Sequence, residues 1–158
     1  MSKIRIRTAT RDDAGQIAAW QVAMAAETED RELPLERVRR GVEAVFADGE
    51  KGRYLIAEDI ELGRALGSLL LTNEWSDWRD GWFWWIQSVF VESEARGRGI
   101  YRRMYEHVLA EAKADGSVCG VRLYVEVENE YAASVYSHLG MDKTSYRMFE
   151  VDFAGEAD

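Results

Sequence analysis

Hydrophobic residues near the start of the chain are spaced first as in a strand and then as in a helix. Lys3 to Thr8 places Ile4 and Ile6 on one face, which is the two-residue period of a half-buried strand. Thr10 and Asp13 then have the spacing of a capping box, which favours a helix start directly after them. The positions that follow at helical spacing are Ala14, Ile17, Ala18, Trp20, Gln21 and Met24.

The next part of the chain predicts a second helix and then two strands. Pro34 stands where a first helical turn tolerates proline, and the helix is predicted to end at Asp48-Gly49. Its apolar stripe is Leu35, Val38, Val42, Val45 and Phe46. Two strands are predicted at 54–57 and 65–72, joined by a turn at 59–63.

A loop, a buried strand and a third helix are predicted in the centre of the sequence. The polar and tryptophan-rich stretch 73–81 predicts the loop. The nearly continuous apolar run at 82–91 predicts a central strand that is covered on both faces. The helix is predicted to begin at Gly99 and to end at Asp115-Gly116, with Ile100, Met104 and Val108 on one face.

The last part of the chain predicts strand, helix and strand. Residues 121–128 alternate apolar and polar, which predicts a strand that begins near residue 118. A short helix at 131–139 is closed by Gly140, and a final strand is predicted at 146–153. The predicted order is β-α-α-β-β-β-α-β-α-β, in which the fourth strand, third helix and fifth strand form a right-handed parallel βαβ unit.

Composition limits the class of protein. The 158 residues are 47% hydrophobic and contain no repeat or linker, so one domain over 1–158 is predicted. The net charge of −9 argues against nucleic acid or an anionic membrane as a partner. Cys119 is the single cysteine, and with His107 and His138 it forms no recognisable metal motif. The start of the chain lacks an apolar signal segment, and the longest apolar run, 82–86, is too short to span a membrane. We therefore predict a soluble cytoplasmic protein without a metal.

The segment Arg96-Gly97-Arg98-Gly99 is the strongest candidate for a binding site. Glycines between a strand and a helix let the backbone approach a ligand closely, and N–H groups at a helix start bind phosphate oxygens. Arginines at 96, 98, 102 and 103 concentrate positive charge here in an otherwise acidic chain. The alternative is a tight turn with solvated arginines. The segment lacks the Walker A pattern, and Arg102 stands where a dinucleotide fingerprint needs its third glycine.

At these residues the sequence resembles the GCN5-related N-acetyltransferase (GNAT) family. The family's acyl-CoA signature is Arg or Gln, two residues, Gly, one residue, then Gly or Ala, and residues 96–101 are similar to it except for Tyr101 at the last position. Residues 129–141 resemble the family segment Asn-x-x-Ala-x-x-x-Tyr-x-x-x-Gly-Phe, with Met141 in place of Phe. The two segments occur in the family's order, and the predicted elements match over essentially the whole chain.

The resemblance implies a fold, an activity and a set of site residues. The fold is a mixed α/β domain whose mostly antiparallel sheet contains a splayed parallel strand pair. The activity is transfer of acetyl from acetyl-CoA to a primary amine by direct attack, with Tyr136 as the general acid. The implied acetyl-CoA-binding residues are Val89, Val91, Arg96, Gly97, Arg98, Gly99, Ile100, Tyr101, Asn129 and Ala132. By sequence alone, Asn129 is also a plain helix cap and Tyr136 also a core aromatic.

The general base is the open point of this interpretation. An attacking amine must lose its proton, yet residues 83–87 before the loop contain no carboxylate. Glu27 is our candidate, either as the base or as a group that binds the amine, because Glu27-Thr28-Glu29 interrupts an apolar stripe at a helix end. The competing acids are Glu29, Glu74, Asp77, Glu126 and Glu128.

The role of a tryptophan cluster and the identity of the binding partners each have more than one interpretation. Five tryptophans form a cluster, in which Trp82, Trp84 and Trp85 can fill the core. Alternatively, Trp75, Trp78 and some of these wall an acceptor pocket through cation–π contacts, or the exposed cluster forms a dimer surface. The predicted acceptor is a small-molecule or peptide amine, and a homodimer is one option. The rival functions are a CoA-binding module without turnover and a homodimeric interaction protein.

Overall fold

The computed structural model describes residues 3–154 of the chain and divides them into two compact units, residues 3–124 and residues 125–154. The first unit contains β1 (Ile4–Thr8), α1 (Ala14–Glu29), α2 (Leu35–Ala47), β2 (Arg53–Asp59), β3 (Arg64–Ser76), β4 (Gly81–Val91), α3 (Ile100–Ala114) and β5 (Val118–Arg122). The second unit contains α4 (Glu130–His138). Residues 1, 2 and 155–158, which the predicted single domain of 1–158 includes, lie outside the described residues.

The five strands of the first unit form one mixed sheet in the order β1-β2-β3-β4-β5. The pairs β1–β2, β2–β3 and β3–β4 are antiparallel, and β5 runs parallel to β4. Since α3 connects these two parallel strands, β4, α3 and β5 are the predicted βαβ unit. The predicted fold class is confirmed: a mixed, mostly antiparallel sheet that carries a parallel pair at one side.

Helices cover both faces of this sheet. The core between the sheet and helices α1 and α2 is Ala14, Ile17, Ala18, Trp20, Val42, Tyr54, Ile56 and Phe90. Burial raises the pKa of Tyr54 in this core to about 12. Neighbouring residues of a strand point to opposite faces, and Arg53 bonds Glu111 of α3 at 2.7 Å, so α3 covers the other face. The buried side of α3 contains Ile100, Met104 and Val108, the stripe that the sequence predicted.

The start of the first helical segment has the predicted capping box. Thr10 and Asp13 make both reciprocal bonds, and Asp13 Oδ2 accepts from the Thr10 N–H at 2.8 Å. Asp13 also forms an ion pair with Arg7 Nη1 at 2.8 Å. The Arg7 hydrogen bond, with that of Thr10, lowers the pKa of the Asp13 carboxyl against the opposing effect of burial.

We expect Asp13→Asn to lower the free energy of unfolding by about 1 kcal/mol at neutral pH. The amide oxygen still accepts from Thr10, so the change removes mainly the charge. Because the folded-state pKa lies below the ordinary value of 3.8, this stabilisation is present above pH 3.8 and is lost as the pH falls through the folded-state pKa. Urea unfolding of both proteins from about pH 7 to about pH 2 measures it. A stability difference that stays constant down to the acid end would contradict the assignment.

The predicted loop at 73–81 is mostly strand, so this prediction was wrong. β3 continues to Ser76 and β4 begins at Gly81, which leaves only residues 77–80 as the turn. Trp75 pairs with Trp82 in register, and their rings meet edge to face with centroids 4.9 Å apart. Cross-strand aromatic pairs stabilise hairpins, so this contact extends the ladder into a stretch whose local composition is polar.

Two predicted strands near the end of the chain also differ from the structure. β5 covers Val118–Arg122, and residues 123–129 contain no strand. The predicted final strand at 146–153 is absent as well, since residues 141–154 contain neither helix nor strand and Phe149 is 94% exposed. Alternating apolar residues show only that a segment has one face to bury. A strand also needs a neighbour to pair its N–H and C=O groups, and local pattern does not supply one.

The second unit has the helix that the sequence predicts. The Asn129 side chain caps α4 by accepting from the Ala132 N–H at 3.1 Å. Gly140 follows the helix with φ +87°, and its N–H bonds the Ser137 carbonyl at 3.0 Å. Tyr136 lies in the last two turns of α4 and is half-buried. The capping role of Asn129, one of its two sequence interpretations, is thus observed.

Candidate active site

A β-bulge interrupts β4 near its carboxyl end. Leu70 pairs with Gln87 and Ser68 pairs with Phe90, so β4 has one residue more than β3 between these positions. Ser88 takes up the extra residue with φ +52°, a left-handed conformation that is uncommon for serine. Bulges redirect backbone groups and are frequent beside functional sites. Sequence reasoning missed this feature, because Ser88 is embedded in a run that looks like uninterrupted strand.

The parallel strand pair separates before β4 ends. Trp82–Trp85 of β4 pair with Val118–Arg122 of β5, and β4 then continues to Val91. Beyond Trp85, β4 has no ladder partner on the β5 side among residues 3–154. Val89 and Val91, both predicted site residues, lie in this open part. Its backbone groups can bond a ligand that aligns as an added strand.

The arginine–glycine segment connects β4 to α3 as predicted. Gly97 and Gly99 have φ values of +79° and +75°, in the left-handed region that glycine adopts without strain. Gly99 is the N-cap residue of α3, a helix of 15 residues. The first N–H groups of a helix lack intrahelical partners and favour an anion, so this junction fits a phosphate group.

The two residues after Gly99 differ in their surroundings. Ile100 is buried, and the Tyr101 ring stacks on Tyr105 one turn along α3, with centroids 6.3 Å apart. Tyr101 stands where the family signature has a small residue. Its contact with Tyr105 places the large side chain against the helix surface.

Arg98 is held beside a buried acid. Arg98 Nη2 lies 3.8 Å from Asp59 Oδ2, and Asp59 is completely buried at the end of β2. The other Asp59 oxygen accepts from the N–H groups of Glu61 and Leu62, each at 3.1 Å. Sequence reasoning assigned residues 59–63 only to a turn, and nothing in the local pattern indicated that Asp59 faces the loop.

Arg96 and Glu27, two predicted site residues, contact each other. Arg96 Nη2 lies 2.8 Å from Glu27 Oε2 at the end of α1. Arg96 Nε donates to the Val91 carbonyl at 2.9 Å, and the guanidinium carbon lies 5.6 Å from the Phe90 ring centroid. The side chain of Arg96 therefore links α1 to the end of β4.

The competing acids of the first unit are placed elsewhere. Glu74 on β3 pairs with Arg122 of β5 at 2.5 Å, and Asp77 lies in the β3–β4 turn. Glu29 is exposed at the last residue of α1. Glu126 and Glu128 belong to the second unit and are exposed.

Three of the five clustered tryptophans are exposed, and the other two are half-buried. Trp78 is 85% exposed and Trp82 39%, while Phe83 and Ile86 are the buried side chains of this part of β4. Trp84 is half-buried, with the Arg53 guanidinium 5.0 Å from its ring centroid. The half-buried Trp85 ring lies 6.2 Å from Tyr124. The core interpretation is therefore wrong for Trp82, and the pocket-wall and dimer-surface interpretations stay predictions.

Three further observations concern features outside the β4–α3 loop. Within residues 3–154, no three His, Cys, Asp or Glu side chains come together as a metal site. Cys119 is exposed and lies beside Gly81, at the opposite end of β4 from Val91 and about 30 Å away along the strand. No helix in the described part of the chain is long and apolar enough to cross a membrane.

Comparison with known proteins places the chain in a family. Residues 16–141 match the Acetyltransferase (GNAT) family, which is most of the sequence. The chain belongs to this family, whose members are acetyltransferases that generally use acetyl-CoA and amine acceptors. No curated protein matches the sequence.

Solved structures agree with this assignment. A possible acetyltransferase from Clostridium difficile 630 superimposes with a TM-score of 0.87 at 38% identity, over 94% of this chain and 97% of that chain. Glucosamine-6-phosphate N-acetyltransferase from Arabidopsis thaliana gives 0.70 at 20% identity, over 94% and 98%. Ribosomal-protein-alanine N-acetyltransferase from Brucella melitensis biovar Abortus 2308 gives 0.73 at 16% identity, over 96% and 100%. The last two likenesses concern the fold alone.

Proposed function

We propose that this protein transfers an acetyl group from acetyl-CoA to a primary amine of a small molecule or peptide. The observation that carries the proposal is the open, bulged end of β4, which leads into a left-handed glycine loop at the start of α3. In this proposal the pantetheine arm aligns along Val89 and Val91 as an added strand, and the diphosphate binds at Gly97 to Gly99. The family resemblance assigns Asn129 and Ala132 to the same arm. A cytoplasmic location is part of the proposal, because acetyl-CoA is a cytoplasmic metabolite.

The proposed chemical step uses the backbone of β4 and the acid that the family resemblance assigns to Tyr136. The neutral amine attacks the thioester carbonyl, and a backbone N–H of β4 near the Ser88 bulge donates to the oxyanion. Collapse of the tetrahedral intermediate forms the amide and breaks the carbon–sulfur bond, while Tyr136 gives its proton to the departing thiolate. The amine proton leaves to water or to a base. Cys119 takes no part, since it lies at the far end of β4, so no acyl-cysteine forms.

One observation supports a second candidate function. Residues 83–87 of β4 contain no carboxylate, and the carboxylate of Glu27 pairs with Arg96. A CoA-binding module without turnover would need no base. Such a module would bind acetyl-CoA and transfer nothing.

Thermal unfolding with acetyl-CoA, CoA and ADP, together with CoA release assayed over a panel of amines, separates these functions. A ligand at about 100 times its Kd adds roughly 2.7 kcal/mol of stability, a clear rise in Tm. We expect both acetyl-CoA and CoA to raise the Tm well above the effect of ADP, and at least one amine to release CoA. A rise in Tm without transfer would favour the binding module. If neither acetyl-CoA nor CoA raises the Tm, the proposal is wrong.

A further inference from the structure

Arg96 belongs by sequence to the phosphate-binding loop, but its side chain contacts α1 and β4. Its guanidinium donates from Nε to the Val91 carbonyl and pairs through Nη2 with Glu27. The Glu27 and Arg96 side chains are 46% and 41% exposed, whereas Val91 is fully buried. Arg96 thus connects a surface carboxylate to a fixed point of the strand that leads into the loop.

A second contact joins α1 to the same end of β4. Trp20 stacks on Phe90 with centroids 5.9 Å apart, and Trp20 Nε1 donates to Glu92 Oε1 at 3.2 Å. Trp20 and Glu27 are seven residues apart, which is two helical turns, so they lie on the same side of α1. Glu92 is also bonded by Arg64 of β3. The end of β4 is therefore held at two points of one helix face.

We propose that Glu27 and Arg96 are positioning residues for the acyl donor. Arg96 fixes the Val91 carbonyl, and with it the direction of the backbone groups that pair with pantetheine; Glu27 acts by holding Arg96. Neither side chain contacts the diphosphate or removes the amine proton. The inference rests on the proposed function and names how this chain orders that site.

The hydrogen-bonding capacity of the groups supports this assignment. Arginine has five N–H donors in one planar group, and two of its nitrogens here are directed to Val91 and Glu27. The Glu27 carboxylate, 2.8 Å from Nη2, offsets the guanidinium charge and repels a phosphate, while the Nε donation to the Val91 carbonyl at 2.9 Å holds the group against β4. Arg98 Nη2 lies 3.8 Å from Asp59 Oδ2.

Comparison of acetyl-CoA with S-acetylpantetheine, which lacks the diphosphate, distinguishes a positioning group from a phosphate ligand. Loss of a positioning residue should weaken the binding of both compounds equally. Loss of a residue that binds phosphate should weaken the binding of acetyl-CoA only. We expect Arg96→Ala to raise both Kd values by the same factor, about tenfold, because a charged hydrogen bond to Val91 is lost. Glu27→Gln should raise both by about threefold, since exposed ion pairs are weak. Arg98→Ala should raise only the Kd for acetyl-CoA.

Steady-state kinetics test whether Glu27 removes the amine proton. With Glu27→Gln at saturating substrates, we expect kcat to keep its wild-type pH profile, because a positioning residue does not take the proton. Glu27→Gln made in Arg96→Ala should add no further loss, since Glu27 acts through Arg96. Glu32→Gln, an exposed acid in the α1–α2 connection, is the matched control and should leave both Kd values unchanged.

The possible results distinguish failure of this inference from failure of the proposed function. A loss in Arg96→Ala confined to acetyl-CoA would make Arg96 a phosphate ligand and overturn the inference. A hundredfold drop of kcat in Glu27→Gln with unchanged Kd values would make Glu27 the base and overturn its positioning role. A wild-type protein that binds neither thioester would instead defeat the proposed function. If Arg96→Ala does not fold, Arg96→Gln and the surface variant Glu27→Gln carry the comparison.

Discussion

Replacement of Tyr136 by phenylalanine is expected to lower kcat by about 10²-fold or more while the Kd for acetyl-CoA stays nearly unchanged. The change removes one hydroxyl and keeps the half-buried aromatic ring in α4. In the proposed reaction this hydroxyl protonates the CoA thiolate as the carbon–sulfur bond breaks, so its loss affects the transition state and not the bound thioester. Steady-state kinetics with saturating amine and calorimetric binding of acetyl-CoA measure the two quantities.

Tyr131→Phe is the matched control for this prediction. Tyr131 lies in the same helix and is 81% exposed, so loss of its hydroxyl should change neither quantity. Wild-type turnover in Tyr136→Phe would remove Tyr136 as the acid. A large loss of acetyl-CoA affinity in that variant would show that the hydroxyl binds the donor instead.

Gly99→Val should raise the Kd for acetyl-CoA by at least about tenfold and lower the Tm. Gly99 has φ +75° at the N-cap of α3, a conformation that costs an ordinary residue about 1–2 kcal/mol and a β-branched one more. The valine relieves this strain by shifting φ, which turns the first N–H groups of α3 away from the diphosphate. Titration calorimetry and thermal unfolding report the two effects separately.

Gly63→Val controls for the strain alone. Gly63 has φ +60° in the β2–β3 turn, and at both glycines an added Cβ would meet no atom within 4 Å. Both variants should therefore lose Tm, and only Gly99→Val should lose acetyl-CoA affinity. Equal affinities for the two variants would place the diphosphate away from this loop.

Glu27 illustrates how the structure changes the sequence interpretation of a residue. Its position at the end of an apolar stripe made it a candidate base or amine ligand. The structure pairs it with Arg96, 69 residues away, and through Arg96 with the strand that is proposed to bind the donor. Glu27 and Arg96, which the sequence assigned to separate roles, thus form one ion pair that connects α1 to the end of β4.

Features that depend on neighbours in sequence were predicted well. The capping box of Thr10 and Asp13, the cap of α4 at Asn129 and the left-handed Gly140 each involve residues within a few positions, and each is observed. The apolar stripes of α1 and α3 are buried for the same reason, because a period of 3.6 residues is a local property, whereas Leu35 of the predicted α2 stripe is 47% exposed. Extension of the hairpin through Trp75 and Trp82 was missed, since that contact depends on the register of two strands.

The sequence by itself determined the order of strands and helices in the first unit, the glycine loop between β4 and α3, and the resemblance to the acetyltransferase family. These follow from short-range spacing and from residue types that only certain backbone conformations accept. Tertiary structure alone decided the bulge at Ser88, the early end of the β4–β5 ladder, and the pairing of Arg96 with Glu27 and of Arg98 with Asp59. Each of these depends on how distant segments are aligned in the sheet or against it, and a one-residue change in that alignment would give different partners.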